Sequence, residues 1–280
     1  MRKRIRRKIE KVLGDYIQHE HLINSSHTPQ ITSSGLLQYR DSASLKTCAV
    51  DGELPLPPQE IRMGYGEDDD YNSSSQRTGR AIRDVVERYR VPVDNGARWL
   101  DWGCASSRVM RNFRDLADGV EIWGADQDAK CIAWNKVNLS PPFKYVTCNC
   151  WPHLPFEDRW FDFLYGISVF THITEFIDSW LCEIRRILKP GGYCLLTVHD
   201  EGTIECFRDR GSLPFWLEGK ATLADISDHD VVSVRGGDWS RHFTIFSRDW
   251  MRKEWSDYFR VVEFISAFEH TQSAVILQKT

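Results

Sequence analysis

"RWLDWGCASSR", residues 98–108, decides how the rest of the chain is read. An apolar run ending at Trp102 passes through a short stretch of small residues into "SSRVMRNFRDL", residues 106–116, which has helical spacing. In open α/β sheets, ligands sit where a strand's carboxyl end turns into a helix. Gly103 permits a close backbone approach there. The first turn of the helix offers N–H groups to an anionic group, with Ser106 or Ser107 as the expected N-cap.

Working outward, strands and helices alternate. "QRTGRAIRDVVERYRV" places Ile82, Val85, Val86 and Tyr89 at helical spacing. "VEIWGAD" is a strand, "DAKCIAWNKVN" a helix, "FKYVTCN" a strand and "WFDFLYGISVF" another. "TEFIDSWLCEIRRILK" is an amphipathic helix capped by Thr174 and stopped by "KPGG", and "YCLLTVH" is the fifth strand. Residues 201–246 break the rhythm and read as an insertion over the strand ends, with a short helix near 203–209. "SRDWMRKEWSDYF" is then a helix capped by Ser247, followed by strands "RVVEFISAF" and "SAVILQK". Only "EHTQ" joins those two, too short for a parallel crossover, so they pair antiparallel. The expected fold is α/β: a Rossmann-like, doubly wound sheet of seven strands, mostly parallel, with a C-terminal antiparallel β-hairpin.

Residues 1–75 read as an N-terminal extension and 76–280 as the domain proper. The extension holds "INSSHTPQITSSG", "LPLPPQ" and "GEDDDYNSSS", rich in turn formers, and one reading makes it a flap over the site. The acidic run Glu67 to Asp70 reads as a solvated loop, a cation site being the sharper alternative. "MRKRIRRKIEK" carries seven Lys or Arg and one Glu. It is a solvated leader helix or a weak membrane or partner contact.

The 280 residues carry a net charge of −4, so no nucleic-acid partner driven by overall charge is expected. No apolar run reaches the roughly 18 residues of a membrane span, and no signal-type apolar segment follows the basic leader. The eight cysteines contain no CxxC pair, which suits reduced thiols and a cytoplasmic location and implies no metal.

The residues just after each strand are the candidate site. They are Asp101, Gly103, Ala105, Ser107 and Arg108 after the first, and Asp126 with Gln127 after the second. Asn149 and Cys150 follow the third, Ser168 and His172 the fourth, His199 and Asp200 the fifth. His242 sits in the insertion.

These residues resemble a known family. "LDWGCASSRVMRNF" is similar to the first motif of class I S-adenosylmethionine-dependent methyltransferases, LDxGCGxGR, and "GADQD" to the second. "LPFEDRWFDFLYGISVFTHI", "EIRRILKPGGYCLLTVH" and the closing pair of strands resemble the stretches that follow, in order. The resemblance covers about residues 78–200 and 247–280 and points to the bacterial small-molecule or glycan type. It implies S-adenosylmethionine as cofactor. Asp101 would lie near the methionine amino group, Asp126 would hold the ribose, and Asn149 or Cys150 would stand beside adenine.

The departures lie in the loop. Alanine at 105 and serine at 107 replace frequent glycines, at a cost of about 1 kcal/mol where φ is positive. Ser107 can donate to the cofactor carboxylate, and Arg108 either orders the loop or pairs with a surface acid. The implied reaction is O-methylation of a small molecule or sugar, with His172, His199 and His242 as candidate bases beside Asp200. Phe215, Trp216, Trp239 and Phe243 form either an acceptor wall or the insertion's own small core. A non-catalytic cofactor-binding or partner protein is the alternative. An NAD enzyme is disfavoured because the loop lacks GxGxxG.

Overall fold

A computed structural model describes residues 54–211, 229–235 and 242–280, together with the paired strands Gln30–Ile31 and Leu37–Gln38. The basic leader, Phe215, Trp216 and Trp239 lie outside the described residues.

The central strands are β1 (Ala97–Trp102), β2 (Val120–Asp126), β3 (Lys144–Thr147), β4 (Phe161–Gly166) and β5 (Leu188–Val198). Two short strands, β6 (Val231–Val234) and β7 (Phe243–Phe246), pair antiparallel in the insertion. The chain closes with β8 (Arg260–Glu269) and β9 (Gln272–Gln278). One seven-stranded sheet has the order β8-β9-β5-β4-β1-β2-β3. Strands β1 to β5 are mutually parallel, and β9 is antiparallel to both neighbours. This is the expected fold.

Side chains alternate across the strands. Trp99, Phe163 and Tyr165 face one apolar cluster with Ile82 and Val85. Leu100 and Leu164 face the other with Leu181, Ile184 and Trp255. The helices covering these faces are α1 (Asp68–Arg88), α2 (Ala129–Asn138), α3 (Ile177–Ile187) and α5 (Arg248–Glu254). The insertion contributes α4 (Glu201–Arg210). Ser247 caps α5 through its hydroxyl, as expected, and Asp200 caps α4 in a capping box with Thr203.

Several local readings need correction. Helix α1 begins at Asp68, eight residues (76 − 68) before the expected start, and absorbs the acidic run into its first turn. Carboxylates there complement the helix dipole, and Asp68 pairs with Arg62 at 2.6 Å. No metal-binding cluster of His, Cys, Asp or Glu occurs among the described residues. The stretch after β1 is a series of turns leading into a 3-10 segment, Met110–Leu116. Neither Ser106 nor Ser107 caps it; Val109 stands at that position without a side-chain cap. Thr174 does not cap α3 either. That helix starts after Phe176, a left-handed residue with φ 57° and no side-chain cap. "KPGG" lies inside β5 rather than before it. The Lys279 ammonium donates to the carbonyls of Arg185 and Leu188 at 2.6 and 2.7 Å, satisfying the end of α3 and drawing the segment alongside β9.

Candidate active site

The carboxyl edge of β1, β2 and β4 opens into a cavity of about 980 Å³. At one end it is lined by Asp101, Gly103, Ala105 and Arg108 from the first junction, and by Asp126 and Gln127 from the second. Asn149, Cys150 and Ser168 line it beyond β3 and β4. His172, Glu175, Phe176, Arg235 and His242, from the turn after β4, the approach to α3 and the insertion, complete the lining as a second group. Tyr65 and its neighbours, from the segment before α1, cover the loop side.

The first junction has a left-handed backbone at three positions, with φ 78° at Gly103, 44° at Ala105 and 64° at Ser107. The positions where the family resemblance expects glycine therefore do have glycine-like geometry, held here by residues with a Cβ. Gly103 has no such latitude, because a Cβ there would drive into Val169 Cγ2. The Gly103 N–H donates to the Ala125 carbonyl at 2.8 Å, tying the turn to β2.

Asp126 is buried. Its Oδ2 accepts the Ala105 N–H and its Oδ1 the Asp128 N–H, both at 2.7 Å. Burial pushes its carboxyl up to about 6, against the pull of those backbone donors. Asp128 in turn caps α2.

Asp101 has fewer partners. It is buried at the end of β1, and its Oδ2 completes no hydrogen bond. The Tyr165 hydroxyl is likewise buried without completing one. Burial pushes the Asp101 carboxyl up to about 8; the proximity of Tyr165 acts in the opposite direction and Asp126 adds to the rise. A buried carboxyl in this condition fits a cationic ligand group, which would draw off its proton and supply the missing contact.

Ser107 does not face the cavity. It is fully buried and its hydroxyl donates to the Tyr145 hydroxyl at 3.0 Å, so the expected donation to a cofactor carboxylate has no geometric basis. Arg108 lines the cavity, but its guanidinium is directed at Glu269 (3.3 Å) and at the Ser74 hydroxyl (2.8 Å). The Asn149 side-chain oxygen accepts the Trp151 N–H at 2.9 Å, closing its own turn.

The three candidate histidines separate. His172 Nδ1 donates to the His242 carbonyl at 2.8 Å, which makes Nε2 the basic nitrogen of the neutral ring. His199 does not line the cavity. It packs against Phe243 with ring centroids 4.2 Å apart, and burial together with nearby His172 lowers its pKa to about 3. That is a packing histidine and a correction to its candidacy. Asp200 is also spoken for, capping α4 and pairing with Arg248 at 2.6 Å. Phe243 belongs to a small cluster with Ile204, Phe207 and Ile245 rather than to the cavity wall.

The segment around Tyr65 to Tyr71 was expected, with the insertion, to form the acceptor pocket, but several contacts that the start of α1 makes with the first junction escaped the sequence reading. Tyr71 donates to the Ser106 carbonyl at 3.1 Å, and Ser75 donates to the Arg108 carbonyl. Thr78 reaches Glu269 at 2.5 Å. Their one signal was the spacing of Tyr71, Ser74, Ser75 and Thr78 along a single helical face, hidden in a stretch whose composition suggested turns. Glu175 and Arg235, an ion pair at the far end, gave no local signal.

Comparison with known proteins agrees with this architecture. Residues 100–196 match the Methyltransferase domain family. The sterol 24-C-methyltransferase of Schizosaccharomyces pombe is 30% identical over 139 residues, 46% of this chain and 36% of that protein. The sterol 4-C-methyltransferase of Caenorhabditis elegans is 30% identical over 118 residues, 40% of this chain and 35% of that protein. The matches thus span about a third of the length of these relatives. A SAM-dependent methyltransferase from Aquifex aeolicus superposes with a TM-score of 0.51 at 13% identity, covering 80% of this chain and 100% of that one. A Pyrococcus horikoshii protein does so with 0.52 at 17% identity, covering 77% and 98%. The fold is that of the Aquifex aeolicus SAM-dependent methyltransferase, and residues 100–196 match a methyltransferase domain, a likeness that implies S-adenosylmethionine as cofactor.

Proposed function

We propose that the protein transfers a methyl group from S-adenosylmethionine to a hydroxyl of a small molecule or sugar in the cytoplasm, with His172 as the base. One observation carries this reading. One cavity is lined both by the incompletely bonded Asp101 carboxyl and by His172, which is polarised by the His242 carbonyl.

The cofactor supplies an activated methyl group on a sulfonium. The chain's own residues bind and orient. Asp101 would take the ammonium of the methionine portion, and Asp126, which holds the Ala105 N–H, would bind the ribose. Asn149 and Cys150, which line the same cavity, would stand beside the adenine. His172 removes the acceptor's proton, its Nδ1–H bond fixing the ring so that Nε2 receives it. Positioning of this kind supplies roughly 7–11 kcal/mol of the barrier reduction, and a base adds about 10²–10⁴-fold. Glu175, Arg235 and His242 give the acceptor end a polar wall suited to hydroxylated compounds.

A second reading is C-methylation of a sterol-like acceptor. The sterol C-methyltransferase relatives favour it, as do the apolar lining residues Ile173, Phe176 and Trp180. Transfer of radiolabelled methyl groups to separate pools of sugars, small alcohols and sterols tests both. Label on the hydroxylated pools supports the first reading, and label on sterols alone replaces it with the second. Cofactor binding without transfer to any pool would leave a non-catalytic binding protein.

A further inference from the structure

The strained cofactor loop is held from the far end of the chain. The β8–β9 hairpin brings its turn to the carboxyl edge of the sheet, where Ser273 pairs with Val198 at the end of β5. Glu269, the last residue of β8, is fully buried there. Its Oε2 lies 2.5 Å from the Thr78 hydroxyl of α1. Its Oε1 lies 3.3 Å from both the Arg108 guanidinium and the Tyr65 hydroxyl. Arg77 and His270 stand 4.0 and 3.6 Å away. Arg108 also binds Ser74 and Thr78, and its guanidinium lies over the Tyr65 ring at 4.5 Å.

A buried carboxylate that loses its cation is strongly penalised, so Glu269 fixes where Arg108 must sit. Arg108 closes the loop in which Ala105 and Ser107 keep positive φ without being glycine. Such residues persist in that region only when the surrounding structure over-determines them. Asp126 holds the loop from the other side through the Ala105 N–H, but nothing in the second strand reaches Arg108. We infer that Glu269 is a positioning residue for the cofactor loop, acting through Arg108 to hold residues 103–108 in a shape that glycines would otherwise supply. Its bond to Tyr65 ties the cavity's covering segment to the same anchor.

The inference rests on the cofactor reading of the cavity for its affinity readout alone. Glu269→Gln keeps the side-chain shape and removes the charge. Cofactor affinity, measured by calorimetry, is expected to weaken about tenfold in this variant, with kcat at saturating cofactor little changed. Adding Ala105→Gly and Ser107→Gly to it should restore most of the loss, because glycine needs no external clamp. The same two glycines in the wild-type background give the reference against which that rescue is read. A purely structural Glu269 would show no such rescue, so additive effects of the three substitutions overturn the inference. Thr78→Val, which removes one bond to Glu269 and one from Arg108 but no charge, serves if Glu269→Gln does not fold, and should show a smaller loss with the same rescue. Hydrogen exchange at the amides of residues 103–108 reads the idea without any cofactor. Faster exchange in Glu269→Gln, slowed again by the glycines, supports it even if S-adenosylmethionine does not bind; unchanged exchange contradicts it.

Discussion

At the Gly103 end of the cavity, the walls are strand termini, the turns after them and the segment before α1, and the side chains other than Asp101 are largely committed to one another. Asp126 holds Ala105, Tyr71 and Ser75 hold the Ser106 and Arg108 carbonyls, and Glu269 holds Arg108. The His172 end is assembled from a short 3-10 turn, the start of α3 and the ends of the insertion strands. Its polar groups, His172, Glu175, Arg235 and His242, come from segments far apart in sequence. The first end is a mutually braced frame. The second is built on a part of the fold that tolerates change, as binding loops on a rigid scaffold do.

The contrast can be broken at either end. The largest effect belongs to the acceptor end, where His172→Gln should lower kcat by about 10²–10⁴-fold and leave cofactor affinity unchanged. A matching loss of affinity would merge the two ends into one. At the cofactor end, Gly103→Ala adds a Cβ that meets Val169 at φ 78°. Thermal unfolding should show a loss of about 2–4 kcal/mol, with cofactor binding falling alongside it; Val169→Ala should recover part of both. Asp126→Ala should weaken cofactor binding by about 1–3 kcal/mol, through the ribose and through the freed Ala105 N–H. Affinity equal to wild type would remove Asp126 from the site. Smallest of all, His199→Gln should leave the rate where it was, since the ring is sealed against Phe243 outside the cavity. A rate loss like that of His172→Gln would restore it as a base.

The same contrast explains what the sequence shows and what it hides. Strands β1 to β5 and the closing hairpin were legible because buried strands write near-continuous apolar runs and because four residues cannot cross a sheet. Asp101, Gly103 and Asp126 were legible because they stand at fixed offsets from those strands. The start of α1 was misplaced because Asp68 to Asp70 and the serines after them have turn-former composition, while their helical role depends on the helix dipole and on Arg62. Arg108 was half legible. Its partner Glu269 lies 161 residues away, and only the topology of β8 and β9 makes them neighbours. Ser107 and His199 were misassigned because position after a strand does not say which way a side chain turns.

The central claim is that Asp101 waits, mostly protonated, for the cationic end of S-adenosylmethionine. In the ligand-free chain its carboxyl is raised from the ordinary value of 3.8 to about 8, so it costs stability as pH climbs between those values. Pairing with an ammonium lowers it, so binding below pH 8 must release a proton, and affinity should rise with pH and level off above 8. Calorimetric titration with S-adenosylmethionine at pH 7, in two buffers of different ionisation enthalpy, measures this directly. The account predicts binding with release of about one proton, lost in Asp101→Asn. Binding with no proton exchange, or no binding of S-adenosylmethionine at all, would contradict it.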